Sequence, residues 1–282
     1  MSNRLLNYAY DLRDRQRVNI ALAKGAAMMQ ARRIDLARPA SWEFSAFSQN
    51  GEDGILDVLR GQLLRRNRYF IEVGAYDGIE NNSSWLVVAE KFNGMMIDGN
   101  PRRVERARRM IEIYSIGVEC RHMFVTRDSA RELKALAWHA DPDVFSLDID
   151  GNDYYVAQAV LASGLRPKIF AVEFNSVYGP ERSMTIEYRD DFVATGAHAS
   201  QLYYGVSIAG WRKFFAAQGY RFVTVERNGV NAFFVDPACF DAKFLDGIQG
   251  LAFAENASQY RRFRVPCDEQ FALIADQKFA GI

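Results

Sequence analysis

Acidic side chains stand at the ends of several apolar runs of this sequence, where they could do chemistry together. Glu72, Asp98, Asp148 and Glu173 each close or directly follow a short run rich in β-branched and aromatic residues. Ligands of open parallel sheets bind in the crevice at the carboxyl ends of the strands, so these acids are expected around one crevice. Carboxylates in such a place can bind a cation or a hydroxyl, hold a metal ion or accept a proton.

The stretch around Glu72 predicts a buried strand that runs into a tight turn. Gly74 and Gly78 follow the strand, and glycine allows close approach of the backbone to a ligand because it has no Cβ. In dinucleotide-binding folds the acid comes about 20 residues after a G-x-G-x-x-G motif, whereas Glu72 precedes Gly74. We therefore expect Glu72 to face a ligand cation, such as the methionine amine of S-adenosylmethionine (SAM). Asp98, which ends the next run, could accept hydrogen bonds from a ribose diol.

A second group of oxygen donors follows two later runs. Asp148 and Asp150 come after one buried run, and Glu173 and Asn175 end the next. If the two strands are neighbours, all four side chains face the same crevice. Such donors suit Mg²⁺ better than Zn²⁺. The pattern predicts a magnesium site or, alternatively, acids that cap the following helix and bind the ligands directly.

The elements that would position these residues alternate between strand-like and helix-like segments. The predicted strands are 69–73, 94–98, 118–125, 143–147, 168–173, 220–226 and 230–235, and the predicted helices are 55–63, 82–92, 101–114, 128–138, 155–161 and 206–218. Ser48 or Asn50 is the expected cap of the first of these helices, and Asn100 before Pro101 is a strong helix start. The last two runs flank Asn228-Gly229, which predicts a hairpin. This order predicts an α/β fold whose mostly parallel sheet ends in an antiparallel hairpin.

The whole chain limits the classes of protein that need to be considered. Its 282 residues suffice for one large domain, 46–282, preceded by a basic helical extension over residues 1–45. We expect the extension to pack on the domain or on a second subunit of a homo-oligomer; docking on an anionic membrane is a weaker alternative. The 35 basic and 35 acidic residues balance, so nothing points to nucleic acid. Three scattered cysteines and no apolar run of about 20 residues indicate a cytoplasmic protein without a membrane span.

The long segment 176–205 has no clear period and follows a strand end, which is where functional loops occur. Candidates for an acceptor pocket in and beside it are Tyr178, Arg182, Tyr188, Tyr203 and Tyr204. His198 is either an imidazole base or an ordinary loop residue. Residues 47–54, which include Gln49, either only cap a helix or contact the ligand.

Together these stretches resemble the FkbM-type branch of class I SAM-dependent methyltransferases. The matching stretches are 48–54, 72–78, 146–153, 173–176, 203–205 and 231–235. Tyr76 stands where many methyltransferases have a glycine, and the FkbM-like branch tolerates another residue there. The spread of the motifs along the chain is more specific than any one of them.

The resemblance implies a Rossmann-like fold, with a seven-stranded sheet covered by helices on both faces. It also implies that SAM lies across the turn after Glu72 and against Asp98. The residues expected to contact SAM are Gln49, Glu72, Gly74, Ala75, Tyr76, Asp77, Asp98 and Asp148. The reaction would be O-methylation of a hydroxyl of a sugar, glycan or secondary metabolite. Asp148, His198 or a Mg²⁺ ion held by Asp148, Asp150, Glu173 and Asn175 would assist deprotonation of that hydroxyl.

Two other functions compete with this interpretation. An NAD-dependent sugar-modifying enzyme could share the fold, but the G-x-G-x-x-G motif is missing and Glu72 lies at the strand end. A non-catalytic SAM-binding subunit could dock on a partner enzyme through the N-terminal helix and the long loop. The acids at several strand ends argue against that second alternative.

Overall fold

The computed structural model describes residues 3–282, with side chains from residue 12 onward. The first two residues of the predicted extension, and the side chains of residues 3–11, lie outside this description. Strands fall into a seven-stranded sheet and a separate two-stranded sheet. They are β1 (Tyr69–Val73), β2 (Asn93–Asp98), β3 (Val118–His122), β4 (Val144–Leu147), β5 (Ile169–Glu173), β6 (Met184–Ile186), β7 (Arg221–Val225), β8 (Asn231–Val235) and β9 (Phe279–Gly281).

The large sheet has the order β3-β2-β1-β4-β5-β8-β7, and β1 to β5 are parallel. β8 runs antiparallel to both of its neighbours, β5 and β7. The predicted fold class, with a mostly parallel seven-stranded sheet and a hairpin at its end, is therefore confirmed. Strand order reverses between β1 and β4, and such a switch point opens a crevice for a ligand.

Helices cover both faces of the large sheet, as predicted. They are α1 (Asn3–Ala31), α2 (Glu52–Gly61), α3 (Ser84–Val88), α4 (Pro101–Tyr114), α5 (Leu133–Leu136), α6 (Asp153–Ala162), α7 (Ala194–Ala197), α8 (Ile208–Ala217), α9 (Ala242–Gly247), α10 (Ala257–Phe263) and α11 (Cys267–Ala272). Phe70 and Met96 pack on the face of α1 to α4, while Ile71 and Met95 pack on the face of α6 and α8. This alternation is the period-two geometry of a strand buried on both faces.

Several predicted boundaries were wrong, and local hydrogen bonds explain them. The helix predicted over 82–92 is only α3, because the Asn81 side chain takes the N–H groups of Ser83 and Ser84. At its other end the chain leaves the helix, with Lys91 at φ +56°. The third strand ends at His122 rather than at residue 125, because its partner β2 ends at Asp98.

Neither predicted residue is the N-cap of α2, although the Ser48 hydroxyl accepts from the N–H of Asp53 in its first turn, whereas the predicted cap of α4 is confirmed. Gly51 is the N-cap of α2, and the Asn50 side chain instead donates to Glu52. In α4 the Asn100 side chain accepts from the N–H groups of Arg102 and Arg103. The helix predicted over 128–138 is a 3₁₀ turn followed by the single turn of α5.

The N-terminal helix α1 packs on the domain. Val18 and Ala21 are buried in its core, and Asp14 accepts from Arg106 Nε of α4 at 2.6 Å. Toward its other end, Arg32 pairs with Asp57 of α2. The helix is therefore packed against the domain and is part of its core. Its part in a homo-oligomer stays a prediction, as does the domain boundary near residue 45. None of the described helices is both long and apolar enough to span a bilayer.

The aperiodic segment 176–205 and the tail fold together beside the main sheet. β6 lies within the segment and pairs antiparallel with β9 at the end of the chain. Aromatic residues from both parts form a third apolar cluster, which includes Tyr178, Tyr203 and Phe279. The tail beyond residue 236 is helical as expected, but β9 was not foreseen because three residues carry too short a pattern.

Candidate active site

A cavity of about 1030 Å³ opens at the carboxyl edge of β1, β2 and β4. The strand register explains why the predicted acids meet there, since Val73 pairs with Ile97 and with Leu147, and Leu147 pairs with Val172. Asp98, Asp148 and Glu173 directly follow three of these paired residues, and Glu72 precedes the fourth. The lining includes residues predicted to bind SAM: Gln49, Glu72, Gly74, Tyr76, Asp77, Asp98 and Asp148. Ala75 is buried and lies outside the lining.

Glu72 is a buried carboxylate on the wall of this cavity. Its Oε1 accepts from the N–H of Asn82 at 2.9 Å, and its Oε2 accepts from the Ser83 hydroxyl. Burial raises the pKa of Glu72 to about 7, although these hydrogen bonds favour the ionised form. No described side chain forms an ion pair with it. A cationic group beside it would favour the ionised form of Glu72.

The turn after Glu72 is fixed by protein backbone. Gly74 has φ +92°, and a Cβ there would lie 1.6 Å from the carbonyl oxygen of Asp148. Glycine is thus required by the neighbouring strand, and not only by a ligand as the sequence suggested. Tyr76 keeps a left-handed φ of +50°, so the residue that replaces the usual glycine still adopts a glycine-like conformation.

Asp98 lies at the other side of the turn. Its carboxylate accepts from the N–H of Tyr76 at 3.0 Å and from the N–H of Asn100 at 2.7 Å. Burial raises the pKa of Asp98 above its usual value, against the effect of these N–H groups and of the charge of Arg103. Phe124, whose ring is 52% exposed, continues the wall beyond Asp98. A carboxylate beside an open aromatic ring suits a ribose diol with a base attached.

Asp77 is hydrogen-bonded to an arginine of the N-terminal helix. Its Oδ2 accepts from Arg17 of α1 at 2.6 Å, and its Oδ1 accepts from the N–H groups of Ile79 and Glu80. Burial would raise the pKa of Asp77, but the hydrogen bond and charge of Arg17 outweigh it and leave the pKa below its usual value. This acid therefore positions the turn and α1, and it has no oxygen left that faces a ligand without a partner.

Three of the four predicted metal ligands come together. Asp148, Asp150 and Glu173 each offer an oxygen, and these oxygens lie within 4.8 Å of one another. Burial and the charges of the neighbouring acids raise the pKa of Asp148 and of Glu173 well above their usual values. Glu173 Oε2 is buried without a hydrogen-bond partner among the described residues. The N-cap of α6 is Asn152, so Asp148 and Asp150 do not cap that helix.

Asn175, the fourth predicted ligand, does not join this cluster. Its amide nitrogen donates to the carbonyl oxygens of Leu202 and Tyr204, and its Oδ1 accepts from the N–H of Val177. These bonds hold the start of the long segment in place. The side chain is therefore used in full by the fold.

All five predicted acceptor-pocket residues lie outside the cavity lining. Tyr178 and Tyr203 are buried in the third apolar cluster, where their hydroxyls donate to backbone carbonyls. Arg182 pairs with Asp268, and Tyr188 packs edge-on against Tyr155. Aromatic residues of the long segment therefore form part of the third apolar cluster, which the sequence pattern did not reveal.

Tyr204 and His198 complete the predicted set, and only Tyr204 is near the acids. Burial, followed by the charges of Glu173 and Asp150, raises the pKa of Tyr204 well above its usual value. His198 is half-buried outside the lining, and its Nδ1 lies 2.7 Å from the hydroxyl oxygen of Ser200. A role for this imidazole in the cavity finds no support in its position.

The structure adds lining residues that the sequence reasoning missed. Glu52 accepts from the side-chain amide of Asn231 at 2.9 Å, and the Oδ1 of Asn231 is buried without a partner among the described residues. Phe192 and Thr195 of the long segment, and Arg13 of α1, also line the cavity. Glu52 and Asn231 lie in stretches that carry the family resemblance, which was the available signal. Arg13 had none, because α1 looked like a separate extension.

Comparisons with known proteins give neighbours in structure only. No protein-family model matches this chain, and no curated protein matches it. An O-methyltransferase from Bacillus cereus in complex with SAH matches with 14% identity and a TM-score of 0.42, over 78% of this chain and 89% of that chain. A SAM-dependent methyltransferase from Aquifex aeolicus matches with 16% identity and a TM-score of 0.39, over 64% and 87%.

A third neighbour is the CurJ carbon methyltransferase, with 11% identity and a TM-score of 0.44 over 82% of this chain and 69% of that chain. These neighbours methylate different kinds of atom by their descriptions. At such identities and TM-scores the likeness says nothing about the activity of this chain. Membership of the FkbM-type branch stays a prediction.

Proposed function

We propose that this protein is a SAM-dependent O-methyltransferase whose acceptor is a hydroxyl of a neutral, polyhydroxylated molecule such as a sugar. The observation that carries the proposal is the row of strand-end carboxylates along one cavity, from Asp98 through Glu72 to Asp148. SAM contains a ribose diol, an amine and a sulfonium, and the cavity offers an acceptor or an anion for each. The resemblance found in the sequence supports the same cofactor.

The residues of the cavity fit the cofactor at both ends. Glu72 lacks a cationic partner among the described residues, and burial raises its pKa to about 7. An ammonium group bound beside it would favour its ionised form. Asp98 accepts from two backbone N–H groups, which fix the carboxylate beside the wall formed by Phe124. SAM supplies the electrophilic methyl group, so the chain has to bind, orient and deprotonate the acceptor.

Asp148 is the residue that we place at the reaction. It lies directly after β4, between the cofactor end of the cavity and Asp150. The raised pKa of its carboxyl, caused by burial and by the neighbouring acids, makes its ionised form a stronger base toward a hydroxyl. Holding that hydroxyl in line with the methyl group contributes to the rate through proximity and orientation alone.

The acceptor end of the cavity supports a neutral, hydroxyl-rich substrate. Asn152, Thr195 and Asn231 offer polar groups there, and the ring of Phe192 offers an apolar surface. The described cations of the lining belong to α1 and α4 and not to this end. A phosphorylated or carboxylated acceptor would meet carboxylates without compensation, which disfavours it.

We also propose a Mg²⁺ ion at the acidic cluster. Asp148, Asp150 and Glu173 would hold it, and the unpartnered oxygen of Glu173 supports this assignment. A divalent ion there would lower the pKa of a coordinated hydroxyl. Asn175 is left out, because its side chain is engaged by backbone groups.

The test begins with calorimetric titration of SAM into the purified protein, with and without Mg²⁺. Transfer of a labelled methyl group to a panel of sugars then follows, with and without chelator. We expect saturable binding, and for Asp148→Asn a loss of turnover of about 100-fold or more, as is usual for a missing general base. Turnover that survives chelator would remove the metal and leave Asp148 as the base.

Other outcomes would contradict the proposal. Binding of NADH in place of SAM would favour a dehydrogenase. Tight SAM binding without transfer to any hydroxyl would favour a non-catalytic subunit.

A further inference from the structure

A basic side chain of the N-terminal helix lines the cavity and has no partner among residues 12–282. Arg13 of α1 lines the cavity and is exposed to solvent. It forms no ion pair and no hydrogen bond with any residue from 12 to 282. A guanidinium held on a cavity wall in this way is available to an anionic group of a ligand.

The other cations of the described lining are occupied. Arg17 donates to Asp77 at 2.6 Å, and Arg106 forms an ion pair with Asp14. Arg103 lies 4.2 Å above the ring of Tyr76 and 3.9 Å from Asp98. Each of these three side chains therefore already has a role in holding the walls of the cavity.

Contacts of α1 hold its Arg17 against the loop that follows β1, and Arg13 lines the same cavity as Glu72. Arg13 and Arg17 are one helical turn apart, so their side chains share a face of α1. Arg17 contacts both Asp77 and Glu80, which belong to the loop that leads from β1 to the Glu72-bonded residue Asn82. The face of α1 that carries both arginines thus lies over this loop.

The proposed cofactor needs a cation in this region. The methionine part of SAM is a zwitterion whose ammonium and carboxylate groups are attached to the same carbon atom. If Glu72 receives the ammonium, the carboxylate must lie within a few bonds of it. Without a cation nearby, that carboxylate would meet Glu72, Glu52 and Glu80, all of which line the cavity.

We propose that Arg13 binds the carboxylate of the methionine part of SAM, and this inference rests on the proposed function. The N-terminal helix is then part of the cofactor site, and the chain distinguishes SAM from ligands that lack the carboxylate. Arg17 and Arg106 hold α1 in place, while Arg13 meets the ligand.

The experiment compares two ligands on three proteins. SAM and decarboxylated SAM, which share the sulfonium, amine, ribose and adenine, are titrated into the wild type, Arg13→Ala and Arg15→Ala. Arg15 is an exposed arginine of the same helix outside the cavity lining, which makes it the matched control. We expect Arg13→Ala to weaken SAM binding about tenfold, as for loss of one charge-assisted hydrogen-bonded pair. Decarboxylated SAM should bind the wild type and Arg13→Ala equally.

Each other result has a distinct meaning. Equal weakening of both ligands would show that Arg13 only supports the helix, and unchanged SAM binding would show that it has no role; either overturns the inference. A changed KM for the acceptor with unchanged SAM affinity would move Arg13 to the acceptor site and overturn it too. Failure of the wild type to bind SAM would overturn the proposed function itself. Arg13 is exposed, so thermal unfolding of Arg13→Ala should match that of Arg15→Ala.

Discussion

At the scale of single residues, Glu72 is an acid of the cavity wall that the fold buries with no basic partner among the described residues. Glu72 is 3% exposed, and its described partners are an N–H group and a hydroxyl. Burial of a carboxyl in this way costs free energy when the group ionises, which is why its pKa rises to about 7. A residue that only stabilised the fold could be neutral. An ionisable carboxyl at this position is what the proposed amine of the cofactor requires.

Glu72→Gln is expected to separate binding from stability. The amide can still accept from Asn82, so the local structure should persist, but the attraction for an ammonium group is lost. We expect SAM affinity at pH 8 to fall by about tenfold or more, while the free energy of unfolding at that pH is unchanged or higher. Calorimetric titration and denaturant unfolding measure the two quantities.

Asp53→Asn is the matched control, since burial raises the pKa of Asp53 to about 7 as well. Its Oδ2 accepts from the N–H groups of Ala46, Phe47 and Ser48, outside the cavity lining. This variant removes a buried acid of the same pKa and should keep more of its SAM affinity than Glu72→Gln. A Glu72→Gln protein that binds SAM like the wild type would contradict the assigned role of Glu72.

At the scale of elements, α1 is held against the domain by close packing as well as by ion pairs. Gly25 lies where a Cβ would come 2.5 Å from the ring of Trp85 and 2.9 Å from Ala46. Glycine inside a helix costs about 0.5 to 1 kcal/mol relative to alanine. Its presence here is explained by the close approach of the helix to the chain beneath it.

Gly25→Ala should therefore destabilise the protein, although the same change stabilises most helices. The added methyl group overlaps Trp85 and pushes α1 outward, and we expect a loss of about 1 to 3 kcal/mol, as for an overpacked core. Gly61→Ala, at the end of α2 with no atom near its Cβ position, should be neutral or stabilising. Thermal unfolding measures both. Equal stability of the two variants would mean that α1 is not packed this closely in solution.

At the scale of the whole molecule, several buried acids have raised pKa values. Burial raises the pKa values of Asp53, Glu72 and Glu226 to about 7. The ion pairs that tie the N-terminal segment to α2 and α4 involve other acids, namely Asp57 and Asp14. The protein without ligand therefore carries buried carboxyl groups that resist ionisation. A cation bound in the cavity would favour the ionised form of Glu72, which lines it.

Stability of the ligand-free protein should fall as the pH rises from about 4 to about 7. In the unfolded chain these carboxyls ionise near 3.8 to 4.5, whereas in the folded chain they keep their protons to about 7. Within this window the folded state binds more protons, so raising the pH favours unfolding. The penalty is absent below pH 4 and complete above about 7.

Thermal unfolding at pH 5.5 and pH 8 should show the higher melting temperature at pH 5.5. Added SAM should raise the melting temperature more at pH 8, where Glu72 is ionised. A melting temperature that increases from pH 5.5 to pH 8 without ligand would contradict the raised pKa values.

The sequence predicted most of the fold and part of the site. Strand-end acids are visible in the sequence because each ends or directly follows a buried run, and the register then aligned Glu72, Asp98, Asp148 and Glu173. Asn175 and the tyrosines of the long segment could not be placed. An amide or a phenol suits a ligand and a backbone carbonyl equally well, and only the contacts show which of the two it meets.

The sequence by itself determined the α/β class, the order of the elements, the reversed strand at the end of the sheet and the acids that share a crevice. Local patterns are enough for these features, because burial period, turn residues and parallel register follow from short-range geometry. The tertiary structure decided that α1 is a wall of the cavity, that the tail fastens the long segment through β9, and that Arg13 lines the cavity. These are contacts between residues far apart in the chain, and packing between distant segments leaves no periodic signal in either of them.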